Sequence, residues 1–266
     1  PVYLVDWPIV QSAKAREIIG DAVSRGAAEV GVQLHPWVNP PFEEEVNTHN
    51  SFAGNLPPEL ERAKFSRLRD AIEEAFGTPP ISYRAGRYGL GPATKSLLQD
   101  MGIKVDTSVR AYFDYSHQDG PNYEDFPNHP YWVAGDTPLL ELPVTSVYRG
   151  LLASAGPQLF PKLARIPRAP GLASRTGLLE RVRLTPEGTP LSDAIKGIDA
   201  ALAAKLPVIV LSFHSPSLAP GNTPYTDTEE EVERLYAWLD GVYAHMASRG
   251  VAPTTIAQAL AAANAG

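Results

Sequence analysis

Polar residues that can move a proton or bind a metal lie at the ends of the apolar stretches of this sequence. His214 directly follows the apolar residues 208–213 (VIVLSF), and His35 directly follows residues 29–34 (EVGVQL). The other candidates at such ends are Asp6, Gln33, Arg84, Arg87 and Asp106. Histidine and carboxylate side chains are common general acids, general bases and zinc ligands. If the stretches are parallel strands, these side chains converge at one mouth, where α/β barrels place their chemistry.

A single histidine of this kind also has a purely structural interpretation. His214 alone could cap its strand through one satisfied hydrogen bond, as many buried histidines do. The repetition of polar residues at nearly every predicted strand end favours the functional interpretation of the set.

Short apolar stretches alternate with segments of helical periodicity along the whole chain. Helices are predicted at residues 12–25, 58–76, 92–101, 191–204, 228–249 and 257–263, and strands at 2–5, 29–34, 81–84, 103–105, 139–144, 208–213 and 251–256. Such alternation is typical of a parallel sheet with right-handed crossovers. Seven strands in 266 residues fit an α/β fold that forms a deformed (β/α) barrel of about seven parallel strands.

We predict one domain over residues 1–266, interrupted by long loops or insertions. Prolines are frequent, 26 in all, and they concentrate in or near three such segments, residues 36–57, 110–135 and 146–187. Long segments of this kind in a compact domain are usually functional or disordered.

The composition excludes several classes of protein and site. The chain has no cysteine, so disulfides, thiolate zinc sites and a cysteine nucleophile are ruled out. Its net charge of −7 argues against nucleic acid as the main partner. No apolar run is long enough to span a membrane, and no signal peptide is visible, so a cytoplasmic location is expected. Neither a glycine-rich nucleotide motif nor a serine-esterase motif occurs.

Four short motifs occur one after another along the sequence, and both their residues and their order are informative. They read GVQLHPW, YRAGRYGLGPATKSLLQDMGIKVDTSV, LLELPVT and LSFHSPSL. This series resembles the NodB-homology polysaccharide deacetylases, in particular a bacterial subgroup with a proline-rich loop after its histidine motif. The resemblance extends over roughly residues 1–256, and its strongest part is the second motif.

The resemblance implies a metal-dependent hydrolase that removes acetyl groups from an N- or O-acetylated glycan or glycan precursor. In that family a divalent metal, often zinc, polarises the acetyl carbonyl and activates a water. By resemblance, His214 is the general acid, Arg84 is the residue that tethers the base, and Asp106 pairs with the arginine or orients the acid. The main chain at Tyr88 would contribute to an oxyanion hole.

The implied metal site departs from the family pattern. The family's opening acidic pair ends a first strand that would lie before Pro1, so that strand and pair are either cut off from these residues or replaced, and Asp6 is the carboxylate placed to substitute for the pair. Gln33 occupies the position of the first metal-binding histidine, and His35 that of the second. Glutamine is a poor zinc ligand. The predicted ligands are thus His35, Gln33 and Asp6, while His49 is better explained as a solvated loop residue.

Two other functions remain open at this stage. A catalytically silent barrel could bind carbohydrate through the aromatic residues of the 110–135 loop, and a hydrolase of the same fold could act on a non-peptide, non-sugar amide C–N bond. The expected partner in each case is a carbohydrate or an acetylated small molecule. The sequence leaves the oligomeric state open.

Overall fold

The computed structural model describes residues 1–135 and 137–265, which form a mixed α/β fold. The chain divides into two compact units: Pro1–Pro143 with Thr254–Gly266, and Val144–Pro253. The α-helices are α1 (Trp7–Gln11), α2 (Ala13–Ser24), α3 (Pro58–Phe76), α4 (Thr94–Asp100), α5 (Gly156–Ala164), α6 (Ala169–Arg175), α7 (Leu191–Ala203), α8 (Glu229–Ser248) and α9 (Ile256–Ala265). The strands are β1 (Val2–Val5), β2 (Glu29–Leu34), β3 (Ser82–Ala85), β4 (Val105–Asp106), β5 (Tyr131–Val133), β6 (Leu139–Glu141), β7 (Ser146–Arg149) and β8 (Glu180–Arg183).

The first unit is built on a mostly parallel six-stranded sheet. The strand order is β1-β2-β3-β4-β6-β5, and every neighbouring pair is parallel except β5 with β6. Helix α3 packs its apolar stripe of Phe65, Leu68 and Ile72 into the same core as the sheet residues Val32 and Tyr83. The sequence pattern predicted α3 with the bounds that the structure has.

The register of this sheet aligns polar side chains from neighbouring strands. Val32 is opposite Tyr83, Tyr83 is opposite Asp106, and Asp106 is opposite Glu141. Residues in register on neighbouring strands project to the same side of a sheet. Two carboxyl groups from adjacent strands are therefore placed next to each other.

The second unit has a separate two-stranded sheet covered by helices. Strands β7 and β8 pair antiparallel, and Val147 and Val182 pack against Ile198 of α7 and Trp238 of α8. Helix α8 begins at a capping box formed by Thr228 and Glu231, as the sequence predicted. The predicted insertion at residues 146–187 contains β7, α5, α6 and β8.

Two predicted strands are wrong. Residues 208–213 belong to no strand, and each of them is only half-buried. Isolated bonds hold this segment instead, because Val210 donates to Thr145 Oγ1 (2.8 Å) and Ser212 donates to the Leu184 carbonyl (3.3 Å). Residues 251–255 are irregular and lead directly into α9. Residues 208–213 are apolar and only half-buried, a state that local sequence does not distinguish from a strand buried on two faces, whereas residues 252–255 are exposed.

The α/β class with a mostly parallel sheet is confirmed. Closure of the sheet into a barrel and the single-domain organisation stay predictions. No helix within the described ranges combines the length and apolarity needed to cross a membrane.

Candidate functional site

The second unit holds His214 against a buried carboxylate. Three donors converge on Glu187: His214 Nδ1 lies 2.8 Å from Oε2, the His214 backbone N–H donates to Oε1 (2.9 Å), and Ser217 Oγ donates to Oε1 (2.8 Å). The chain brings these groups together because His214 precedes a short 3-10 turn, Ser215–Leu218, which returns Ser217 to the same carboxylate. The result is a fixed histidine–glutamate dyad.

The two members of the dyad differ in exposure. The Glu187 side chain is 7% exposed, whereas the His214 side chain is 63% exposed. Burial by itself raises the pKa of Glu187, but the hydrogen bonds and charge of His214, with the bond from Ser217, hold it below its ordinary value. An ionised carboxylate only accepts hydrogen bonds, so Nδ1 of His214 is the donor and Nε2 is the ring atom that can take up and release a proton. This is the arrangement of a general acid or base.

Sequence reasoning identified His214 and missed Glu187. The two residues are 27 positions apart, and Glu187 stands in a loop between β8 and α7. Nothing in the local sequence marks that glutamate as the partner of a histidine. Asp106, which the resemblance offered as a residue to orient the acid, makes its own contacts within the first unit.

Arg84 is buried in the first unit and is fixed by the neighbouring strand. Its Nε donates to the Thr107 carbonyl (2.9 Å) and its Nη2 to Thr107 Oγ1 (3.0 Å), while Thr107 Oγ1 donates to the Leu142 carbonyl (2.8 Å). Burial lowers the pKa of Arg84, and the nearby Tyr88, Asp106 and Glu141 act in the opposite direction. Arg84 thus links three strands and stabilises negative charge at their ends.

Asp106 and Glu141 form a pair of buried carboxyl groups. Asp106 Oδ1 accepts bonds from the backbone and the hydroxyl of Ser108, and Glu141 Oε1 accepts the Val109 backbone N–H (3.0 Å). The two carboxyls lie in register on β4 and β6, and each affects the pKa of the other. Burial raises the pKa of Asp106 to about 6, although bonds from Ser108 and Glu141 and the charge of Arg84 oppose that rise.

Of the two carboxyls, Glu141 has the stronger tendency to hold a proton. Burial and the adjacent Asp106 raise the pKa of Glu141 well above its ordinary value, which favours its protonated form. Sequence reasoning placed Glu141 inside a strand without assigning it a role. The feature of the sequence that could have indicated a role for Glu141 is that it is a single charged residue within an apolar strand.

The turn after Arg84 has two consecutive residues in the left-handed region. Arg87 has φ +55° and Tyr88 has φ +61°. The Tyr88 carbonyl accepts a bond from the Tyr123 hydroxyl, and Arg87 donates to Ser51 Oγ (2.6 Å). The strained turn is thus fixed by loop contacts, and the oxyanion-hole role of Tyr88 stays a prediction.

The predicted metal ligands have other tasks in the structure. Asp6 caps α1, with Oδ1 accepting the Ile9 N–H (3.2 Å), and Gln33 lies in register with Arg84. The His35 ring packs on Trp37 with centroids 4.6 Å apart. No group of three or more histidine, aspartate or glutamate side chains that could hold a metal ion occurs in residues 1–135 and 137–265. With one imidazole, one capping carboxylate and one amide, these residues do not fit a divalent metal centre.

The aromatic residues of the 110–135 loop mostly pack on one another. Tyr115 stacks with Tyr88 and with Phe113, at centroid distances of 5.9 and 6.2 Å. The Arg110 guanidinium lies 4.3 Å from the ring of Phe113. Trp132, on the edge strand β5, is 42% exposed. The loop is therefore largely a self-packed unit with Trp132 as an accessible ring.

Comparison with known proteins gives distant structural matches. No protein-family model and no curated protein matches the sequence. A solved structure described as a polysaccharide deacetylase from Mycobacterium smegmatis is 22% identical, with a TM-score of 0.45, over 96% of this chain and 74% of its own. A polysaccharide deacetylase structure from Pseudomonas aeruginosa PAO1 and a Puue allantoinase structure are each 20% identical, with TM-scores of 0.31, over 50% of this chain and 35% of theirs. Two of these three solved structures are described as polysaccharide deacetylases.

Proposed function

We propose that this protein is a hydrolase that removes an acetyl group from an N- or O-acetylated saccharide, with His214 as the proton donor to the leaving group. The observation that carries the proposal is the dyad of exposed His214 and buried, ionised Glu187. The ordered series of four deacetylase-like motifs, one of which contains His214, supports the substrate class.

The dyad suits the second half of such a hydrolysis. Once water has added to the acetyl carbonyl, the bond from carbon to the leaving nitrogen or oxygen must break, and the leaving atom needs a proton. Protonated His214 can supply it from Nε2, while the Glu187 carboxylate stabilises the positive imidazolium and fixes the ring through Nδ1. Acetate and the free amine or alcohol are the products.

Proton donation matters most for an N-acetyl substrate. An amine anion is a far poorer leaving group than an alkoxide, so cleavage of an amide depends more strongly on a general acid. Loss of His214 is therefore expected to reduce the hydrolysis of N-acetylated saccharides more than that of O-acetylated ones.

The metal expected from the resemblance would supply Lewis-acid polarisation and water activation if bound. Asp6, Gln33 and His35 do not fit such a centre, so the proposed proton transfer from His214 does not involve a metal. Elemental analysis of protein purified without chelator, together with acetate release before and after chelation, tests metal dependence separately from the role of His214.

The direct test is acetate release from a panel of N- and O-acetylated saccharides and simple non-sugar amides. His214→Ala should lose activity while His245→Ala, a second histidine of the same unit that is bonded to Asp199 on α7, should retain it. Full activity of folded His214→Ala would overturn the proposal. Turnover confined to the non-sugar amides would assign the protein to amide hydrolysis instead.

A second candidate is a catalytically silent carbohydrate-binding protein. It is favoured by the poor ligand set around Gln33 and by the exposed ring of Trp132. Saccharide binding that is lost in Trp132→Ala and unchanged in His214→Ala, without acetate release from the wild type, would establish it.

A further inference from the structure

The stretch between β7 and β8 has a composition unlike the rest of the chain. Residues 151–179 contain four basic residues and no acidic residue, although the whole chain has 30 acidic against 23 basic residues. The four cations are all exposed; they are Lys162, Arg165, Arg168 and Arg175. Residues 151–179 are therefore a positively charged stretch of an acidic protein, and we call their exposed side chains the 151–179 surface.

Helix α5 shows why this surface is also apolar. Its buried side is occupied by Phe160, which packs on Tyr148 of β7 with centroids 5.5 Å apart. Leu159, Leu163 and Ile166 follow at helical spacing and line an open cavity of about 260 Å³. The side chains of Leu159 and Leu163 are thus only half-buried, whereas Phe160 is buried.

Further aliphatic side chains of this stretch are exposed to solvent, and Leu152 and Leu178 among them line the cavity. Leu151 is 84% exposed and Leu172 is 65% exposed, and Leu152 and Leu178 are also exposed. Backbone bonds fix this arrangement, since Leu151 donates to the Gly177 carbonyl (3.1 Å) and Leu152 to the Leu178 carbonyl (2.9 Å). Exposed apolar groups held together in this way usually mark an interaction site.

The chemistry of the surface selects one type of partner. Leucine and isoleucine side chains among lysines and arginines, with no carboxylate between them, are typical of elements that lie in the headgroup region of anionic membranes. Symmetric contact with a second copy would instead place four cations against the same four cations. We propose that the 151–179 surface binds the surface of a bilayer that contains anionic phospholipid. Its aliphatic side chains would enter the acyl region and its arginines would contact the phosphates.

This proposal does not depend on the hydrolase function. It predicts that the full chain floats with vesicles of phosphatidylglycerol and phosphatidylcholine but not with vesicles of phosphatidylcholine alone. Binding should weaken as salt is raised, because screening reduces the attraction between the arginines and the lipid phosphates.

Charge reversal separates this surface from the general charge of the protein. Arg165→Glu with Arg168→Glu should weaken binding to the anionic vesicles by about tenfold or more. Arg16→Glu with Arg67→Glu makes the same change in net charge at exposed positions of α2 and α3 and should leave most of the binding intact. Equal losses in the two variants, or no binding by the wild type at low salt, would overturn the proposal.

Insertion of the aliphatic side chains can be observed directly because the chain has no cysteine. An environment-sensitive dye on Leu172→Cys should brighten and shift to the blue with anionic vesicles, whereas the same dye on exposed Val46→Cys should not. Leu151→Ser with Ile166→Ser should weaken vesicle binding without changing the sedimentation of the free protein. If these substitutions convert an oligomer to a monomer and leave vesicle binding unchanged, the surface is a contact between copies and the proposal is wrong.

Discussion

The two units each bury carboxyl groups and leave them in opposite states. In the second unit Glu187 is buried beside His214 and the Ser217 hydroxyl, and its pKa is held below the ordinary value. In the first unit Glu141 is buried beside another carboxyl, and its pKa is raised well above it. Burial disfavours the charged form in both cases, so the neighbours decide which form is kept.

The two glutamates therefore suit different roles. The His214–Glu187 dyad can exchange a proton with a substrate, whereas Glu141 favours its protonated form. Glu187 is ionised and supports an exposed imidazole, which is the requirement for rapid proton transfer to a substrate. The raised pKa of Glu141 favours its protonated form, and its side chain lies beside Asp106 of the neighbouring strand and near the buried Arg84. We infer that the dyad serves chemistry and that the carboxyl pair serves the structure of the sheet end.

Substitution of His214 should produce the largest effect. With a suitable acetylated saccharide, His214→Ala should lower turnover by about 10²–10⁴-fold, because the leaving group loses its proton donor. The midpoint of thermal unfolding should change little, since the His214 side chain is 63% exposed. The measurement is acetate release, with bound metal quantified in parallel.

An unchanged metal content in that variant supports the role of His214 as a general acid. Loss of metal together with activity would mean that His214 is a metal ligand. The His214–Glu187 dyad would then not act as a general acid, and Glu187 would not differ from Glu141 in serving proton transfer.

Removal of Arg84 tests the other side of the comparison. Arg84→Ala should lower the free energy of unfolding by about 3–5 kcal/mol, because it leaves the buried Asp106 carboxylate without the neighbouring positive charge. Arg67→Ala, at an exposed position of α3, is the matched control and should be close to wild type. Urea denaturation measures both.

Activity of the Arg84→Ala variant also tests the tether role that the resemblance implies. Full activity in the folded variant would refute that role and leave Arg84 as a purely structural residue.

Sequence patterns predicted helices better than strands in this chain. Helices α3 and α8 have periodic apolar stripes and clear starts, Pro58 in one and the Thr228 capping box in the other, and both predictions are confirmed. Residues 208–213 have the composition of a buried strand, yet their backbone finds only isolated partners. Pairing of strands depends on distant segments, which local composition does not specify.

The candidate sites show the same limit. His214 could be identified from its position and its motif, but Glu187 could not, since the bond between them spans 27 positions. Asp106 and Glu141 were each visible, whereas their pairing follows from the register of β4 with β6. A residue type can be predicted from sequence, while the partner that sets its protonation is determined by the fold.

Neutralisation of Glu187 should have an intermediate effect that depends on pH. The pKa of Glu187 is lower in the folded state than its ordinary value of 4.5 in the unfolded state. Between these two pKa values the unfolded state binds more protons. The contribution of Glu187 to the free energy of unfolding is therefore complete above pH 4.5 and is lost as the pH falls through the folded pKa. Glu187→Gln should therefore lose about 2 kcal/mol of unfolding free energy at neutral pH, the value of a hydrogen bond to a charged group. The difference from wild type should shrink as the pH falls through the folded pKa.

Unfolding by urea at several pH values checks this expectation, with Glu230→Gln on the exposed first turn of α8 as the control. A difference that is the same at every pH would show that Glu187 acts through packing and not through its charge.

Glu141→Gln should have the smallest effect on the free energy of unfolding. Unlike Glu187→Gln, it should stabilise the protein at neutral pH. The amide reproduces a protonated carboxyl, since its oxygen can accept the Val109 N–H and its NH₂ group can donate to Asp106. In the unfolded wild type, Asp106 and Glu141 lose their protons as the pH rises above their ordinary pKa values of 3.8 and 4.5. In the folded protein, both pKa values are raised, so the pair keeps its protons to higher pH. Stability therefore falls as the pH rises toward about 6, the raised pKa of Asp106, and continues to fall above it through Glu141.

Glu141→Gln should make that fall shallower and leave the protein as stable as wild type in acid and more stable at neutral pH. Glu74→Gln, at an exposed position of α3, should retain the wild-type slope. If Glu141→Gln instead keeps the wild-type slope and is destabilised throughout, Glu141 is ionised in the folded protein. The contrast with Glu187 would then rest on packing, because both buried glutamates would carry the same charge.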